Sequence, residues 1–76
     1  MEINEFIQNV ADQFNHTDAS EIKPETVFKE MEEWSSLMAL NIIAMVDEEY
    51  DVVLKGNDII HTVTVGDLFN LVKSKQ

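Results

Sequence analysis

From Leu37 to Val46 only Asn41 interrupts a run of apolar residues, and neither glycine nor proline falls within it. Ser35 and Ser36 precede the run, and Asp47-Glu48-Glu49 closes it. Such a segment predicts a helix of about four turns with its N-terminus near Ser35. It is too apolar for an ordinary surface helix, and a chain of 76 residues can hardly bury one helix on every side. The rest of the chain must therefore supply cover for one face and leave part of the other open.

At 100° per residue, Ala39, Ile42, Ile43, Val46 and Tyr50 fall on one side, which is the expected core face. Leu37, Asn41, Ala44 and Glu48 fall opposite, with Leu40 and Asp47 on one edge of that stripe and Met38 and Met45 on the other. Apolar groups thus reach well round toward solvent. An exposed apolar patch rimmed by acids marks a partner site, and adaptable methionines suit a surface that meets several partners.

The start of the helix has chemistry of its own. A serine there can satisfy an orphan backbone N–H, which is the usual role of serine at this position. The partial positive charge of the helix end also favours an attached phosphate, so a phosphoserine or phosphodiester is well accommodated.

Charge narrows the partners. Fifteen acidic against five basic residues give a formal net charge of −10, and no Lys or Arg lies between Lys29 and Lys55. Glu30, Glu32, Glu33, Asp47, Glu48, Glu49 and Asp51 all fall in that interval. Such a surface repels nucleic-acid phosphates and anionic headgroups and steers association with basic patches on proteins. Neither nucleic-acid binding nor membrane insertion is expected.

The flanking segments read as shorter helices. Ile3, Phe6, Ile7, Val10, Ala11 and Phe14 recur at helical spacing and predict a first helix from about residue 2 to 14. Asn15 to Glu25, with Pro24, is loop in composition, and Val27, Phe28 and Met31 pin this connection to the core. After the central helix comes an apolar link, Val52-Val53-Leu54, then a turn at Lys55-Gly56-Asn57-Asp58 and one short helical turn carrying Ile59 and Ile60. Thr64-Val65-Gly66-Asp67 resembles a capping box with Asp in place of Glu, opening a last helix with Val65, Leu68, Phe69 and Val72 inward and Lys73 and Lys75 at its C-terminus.

Several chemistries find no footing. The chain has no cysteine, so disulfides, thiolate zinc sites and a cysteine nucleophile are excluded. His16 and His61 sit in separate polar connections, read as surface residues, with no triad spacing to a serine or carboxylate. Asp47-Glu48-Glu49-Tyr50-Asp51 lacks the central glycine and terminal glutamate of a calcium loop, and Gly56 and Gly66 stand alone rather than in a phosphate cradle. No catalytic residue and no metal site are expected. The acidic, amphipathic start is not a signal peptide, and the longest apolar run is too short to span a bilayer, so a cytoplasmic location is expected.

The order of elements, the acidic approach to Ser36-Leu37, the following Asp47-Glu48-Glu49-Tyr50 and the late Thr64-Val65 together resemble an acyl carrier protein over essentially the whole chain. The resemblance implies an all-α fold, a small bundle of three main helices plus one short helix, forming a single carrier domain over residues 1–76. It implies a covalent 4′-phosphopantetheine on Ser36, the serine directly before the leucine, joined through a phosphodiester. Ser35 stands where the family usually has aspartate, which removes a charge offered to the modifying enzyme while leaving a residue able to cap the helix. Trp34 is suited to staple the start of the helix or shield the arm.

Met38 and Asn41 stand where the family tends to show acids on its recognition helix, while Asp47 and Glu48 remain, so the first half of the partner surface is expected to be more apolar than usual. The implied partner residues are Leu37, Met38, Asn41, Ala44, Asp47 and Glu48. The implied partners are a phosphopantetheinyl transferase and the acyl-transfer and chain-elongation enzymes of fatty acid or related lipid or polyketide synthesis, with basic docking patches. A monomeric carrier that catalyses nothing itself is expected, its interior parting around Ile43, Val46, Leu68 and Phe69 to shelter the acyl chain. Two other readings fit the residues: an aminoacyl or D-alanyl carrier, and an acidic helical interaction module whose serines only cap.

Overall fold

The computed structural model describes residues 2–76, and it is all-helical apart from one isolated β-bridge. Helix α1 spans Ile3–Ala11 and buries Phe6, Ile7, Val10 and Ala11. The apolar spacing predicts a helix to residue 14, but α1 stops three residues earlier. There the chain tightens: the Gln13 N–H donates to the Val10 carbonyl at 3.1 Å and the Phe14 N–H to the Ala11 carbonyl at 3.0 Å. This three-residue spacing still delivers Phe14 to the core.

The long connection after α1 is not structureless. It holds two 3₁₀ turns, Ala19–Glu21 and Phe28–Glu30. Asp18 and Glu21 fix the first reciprocally, because the Asp18 carboxylate accepts from the Ser20 hydroxyl at 2.6 Å and the Glu21 carboxylate accepts the Asp18 N–H at 2.9 Å. Ile22 and Phe28 are buried, and Val27 and Met31 are half-buried, so the connection is held to the core at intervals.

Helix α2 runs from Ser36 to Tyr50, the four turns expected of its uninterrupted apolar sequence. Asp51 ends it in the left-handed conformation, φ 56°, donating its N–H to the Asp47 carbonyl. Its buried side is not the one the periodicity favours. Met38, Ile42, Met45 and Val46 are buried, whereas Ala39, Ile43 and Tyr50 are half-buried. The buried arc is rotated by roughly 70° toward the methionines, taking 100° per residue. Met38 and Met45 are therefore core residues and not part of an open partner surface.

Helix α3 spans Gly56–His61, so the stretch Lys55 to Asp58 that reads as a turn is the start of a helix. Its turn-like residues serve as caps: the Asp58 carboxylate accepts the Lys55 N–H at 2.9 Å. In the link before it, Val52 and Leu54 are buried while Val53 is 68% exposed. Helix α4, Val65–Lys75, begins at the expected box, with the Asp67 N–H on the Thr64 hydroxyl at 3.0 Å and the Thr64 N–H on the Asp67 carboxylate at 3.1 Å. Its start is tied to the long connection by the Val27–Thr64 bridge and by the Val65 N–H on the Thr26 carbonyl at 2.9 Å.

Helix α1 packs against both α2 and α4. Phe6 stands at their junction, fully buried, its ring 5.8 Å from that of Tyr50 and 5.6 Å from that of Phe69. Ile42, Val46, Leu68, Val65 and Val72 are buried in the same core, each contributing on the order of 2 kcal/mol relative to exposure. A side-chain hydrogen bond from α1 to α2 joins Asn9 to the Tyr50 hydroxyl at 2.8 Å. Among the described residues no helix is long and apolar enough to cross a membrane.

Candidate functional site

The site is the N-terminus of α2 and the segment that leads to it. Ser35, with extended backbone, is the cap: its hydroxyl accepts the Met38 N–H at 3.2 Å and its carbonyl accepts the Ala39 N–H at 3.1 Å. Ser36 is the first helical residue and is exposed. Its hydroxyl makes no hydrogen bond to the described residues. The two serines thus divide the work. Ser35 stabilises the helix by about 1 kcal/mol, the usual worth of such a cap, and Ser36 presents an uncommitted hydroxyl at the positive end of a four-turn dipole, where an anion is favoured. No acidic side chain stands in the first turn of α2.

Trp34 holds the approach from one side. Its ring meets Phe28 edge-on, centroids 5.2 Å apart at 65°, and Phe28 is buried. Its backbone N–H donates to the Met31 carbonyl at 3.0 Å. The indole is therefore anchored on the second 3₁₀ turn.

Glu33 holds the approach from the other side, a role its sequence gives no sign of. Its carboxylate accepts the backbone N–H groups of Asn15 at 3.0 Å and His16 at 3.1 and 3.0 Å, and the Thr17 hydroxyl. The Thr17 hydroxyl and these N–H groups, with the nearby His16 ring adding a smaller attraction, hold the carboxyl below the usual glutamate range against the opposing effect of burial. Glu33 and Glu32 line an open cleft of about 680 Å³ together with His16, Thr17, Glu21, Thr26 and Met31.

The outward face of α2 continues from Ser36. Leu37 is 67% and Leu40 62% exposed, Ala44, Asp47 and Glu48 are exposed, and Asn41 is half-buried. Met38, grouped with them by sequence, is only 8% exposed and drops out of the set. Leu40, which the periodicity leaves at an edge, is central to the open stripe once the helix is rotated as the core requires. Ile60 on α3 and Val63 after it are also exposed, at 66% and 52%.

Lys29, the last cation before Lys55, is engaged. Its ammonium donates to the carbonyls of Ile59 and Ile60, both at 3.0 Å, and lies 5.8 Å from the Phe28 ring centre. It satisfies the C-terminal carbonyls of α3, which favour a cation. His16 and His61 are exposed, as expected.

A hydroxyl left free at a helix N-terminus, an anchored approach and an acidic, apolar-flanked helix beyond it coincide with one family. A family model described as a phosphopantetheine attachment site matches residues 4–72.

Proposed function

The chain belongs to the phosphopantetheine attachment-site family, the carrier proteins of the acyl carrier type, and we propose from that premise that it holds acyl intermediates on Ser36 for fatty acid or related lipid or polyketide synthesis. The family's prosthetic group is a covalent 4′-phosphopantetheine. The observation that carries the assignment to Ser36 is its exposed, unbonded hydroxyl beside a serine already spent as the cap. The residues fit the group: a phosphodiester on Ser36 would sit at the helix's positive end with no carboxylate in the first turn to repel it.

When bound, the group supplies a terminal thiol that holds the acyl chain as an activated thioester. The chain's own part is presentation. Ser36 fixes the root of the arm, Ser35 keeps the helix start formed, and tethering raises the effective concentration of cargo wherever the carrier docks. Leu37, Leu40, Asn41, Ala44, Asp47 and Glu48 form the docking face, apolar near Ser36 and acidic at the far end. Its partners in this reading are a phosphopantetheinyl transferase and acyl-handling enzymes with basic patches, in the cytoplasm, and the carrier itself makes and breaks no bond of the cargo.

Incubation with a phosphopantetheinyl transferase and coenzyme A tests the assignment. The wild type gains the mass of one phosphopantetheine, Ser36→Ala gains none, and Ser35→Ala is still modified. Modification that survives in Ser36→Ala and is lost in Ser35→Ala moves the site by one residue. Intact mass of the protein from its native cells reads the cargo, and an aminoacyl group there in place of a fatty chain overturns the acyl assignment.

A further inference from the structure

We infer that Glu33 is a positioning residue for the modification of Ser36, a strap that fixes where the serine stands by binding the start of the connection after α1 across the approach to α2. This rests on the reading of Ser36 as the attachment residue. Glu33 precedes the cap residue Ser35 by two positions. Its carboxylate gathers donors from three consecutive residues, Asn15, His16 and Thr17, in a stretch where the chain has left α1 and its N–H groups have no helical partner. A carboxylate shared among backbone N–H groups and a hydroxyl makes the strong, charge-assisted kind of hydrogen bond.

The geometry makes the strap directional. Trp34, the next residue, is clamped on Phe28 at 5.2 Å. With Glu33 drawn toward residues 15–17 and Trp34 drawn toward residue 28, the two residues before Ser35 are held from two separate parts of the connection. Ser35 leaves this clamp in an extended conformation, φ −158° and ψ 171°, and enters a helix capped by its own side chain. Only Ser35, itself tied to Met38 through its hydroxyl, lies between the clamp and Ser36. A serine whose hydroxyl must meet a phosphorus atom in line gains rate from being held there in advance.

Loss of the strap therefore lowers kcat for phosphopantetheine transfer, while loss of Glu33 as a mere surface charge raises KM in a salt-dependent way. His16, Glu21 and Glu32 line the same cleft, so a variant that keeps the charge pattern intact is needed to separate the two. Thr17→Val removes one donor and no charge. Glu33→Asp keeps the charge and shortens the reach by one methylene.

The experiment measures transferase kinetics with coenzyme A on the unmodified full chain, at low and high salt, together with backbone amide chemical shifts. Expected are an unchanged fold by circular dichroism, a kcat lower by about tenfold in Glu33→Asp and about threefold in Thr17→Val with KM nearly constant, and shifted amide resonances for Ser35 and Ser36 in both. A kcat equal to wild type in Thr17→Val and Glu33→Asp, with Ser36 amide shifts unmoved, overturns the positioning role and leaves the attachment assignment standing. If Glu33→Asp fails to fold, Thr17→Val alone decides. A wild type that gains no mass at Ser36 overturns the attachment assignment and the positioning role with it.

Discussion

Gly66 donates its backbone N–H to the Pro24 carbonyl at 2.8 Å, and the same oxygen lies 3.1 Å from where a Cβ on residue 66 would stand. The start of α4 is seated on the long connection through this contact, and a Cβ there would crowd the Pro24 carbonyl. Gly56, the first residue of α3, faces open space and has no such neighbour. Alanine in a helix is favoured over glycine by about 1 kcal/mol, and the surroundings decide whether that gain is realised. Gly56→Ala is expected to raise the melting temperature, whereas Gly66→Ala, which must push a backbone carbonyl away and lengthen its own hydrogen bond, is expected to lower it. Thermal denaturation of the two variants side by side checks the contrast, and a Gly66→Ala protein that melts above wild type refutes it.

The rotation of α2 assigns opposite fates to two of its apolar residues. Met38 is 8% exposed and Leu40 62% exposed. Met38→Ala is expected to destabilise the fold by about 2 to 4 kcal/mol, as core truncations do. Leu40→Ala is expected to leave stability within about 0.5 kcal/mol and to weaken docking with acyl-handling enzymes. Urea denaturation separates the pair, and equal losses of stability would place both side chains in the core.

Asp47 and Glu48 are exposed on the last turns of α2, at the rim of the proposed docking face. Reversing both to Lys is expected to slow association with a basic partner and flatten its salt dependence, because rim charges work mainly through encounter rates. The fold should persist. Stopped-flow or surface binding at low and at high salt provides the measurement, and an unchanged association rate at low salt removes this end of α2 from the docking surface.

Shelter for the cargo requires the interior to open, and Val46 and Leu68 lie fully within the core while Ile43 and Phe69 sit half-buried at its margin. An acyl chain passing that margin adds buried apolar area at about 25 cal/mol per Å², and a ligand bound by the folded state alone raises the melting temperature. The acylated form is expected to melt above the form with the bare arm, with chemical-shift changes at Ile43 and Phe69 larger than at residues of α3. Equal melting temperatures and unmoved shifts mean the chain stays in solvent.

Acid should loosen the molecule at its caps. Asp18, Glu33 and Asp67 all bind donors as anions, and their carboxyls are held below the usual range chiefly by the Ser20 hydroxyl, the Thr17 hydroxyl and the Thr64 N–H respectively. A depressed folded value means that each contribution is complete above the carboxyl's unfolded pKa and disappears as the pH falls through the folded one, so the window lies below about pH 4.5. Asp67→Asn and Glu33→Gln are expected to be less stable at neutral pH and to lose part of the acid sensitivity. Unfolding curves between neutral pH and about pH 3 test this, and an unaltered acid limb in both variants contradicts it.

The caps show what the chain settles locally. Ser35 with Met38 and Thr64 with Asp67 are contacts spanning three positions, within reach of a single helical turn, so residue type and spacing alone place the starts of α2 and α4, whereas the equally local Asp58–Lys55 contact opens α3 in a stretch whose composition reads as a turn. The order Ser35-Ser36 is settled the same way, one hydroxyl consumed by the cap and the next left free, and so is the single sign of charge between Lys29 and Lys55.

The direction in which α2 faces is a different matter. A helix apolar on most of its circumference carries little preference for any one side, so α1, α4 and the buried connection decided that Met38 and Met45 go in and Leu40 comes out. Glu33 and Lys29 obey the same logic. Each is a long charged side chain that reads locally as solvated, yet Glu33 finds free N–H groups 17 and 18 positions away and Lys29 finds helix-end carbonyls 30 and 31 positions away. Those groups lie at and beyond helix ends, and only packing in three dimensions brings them to another segment's charge.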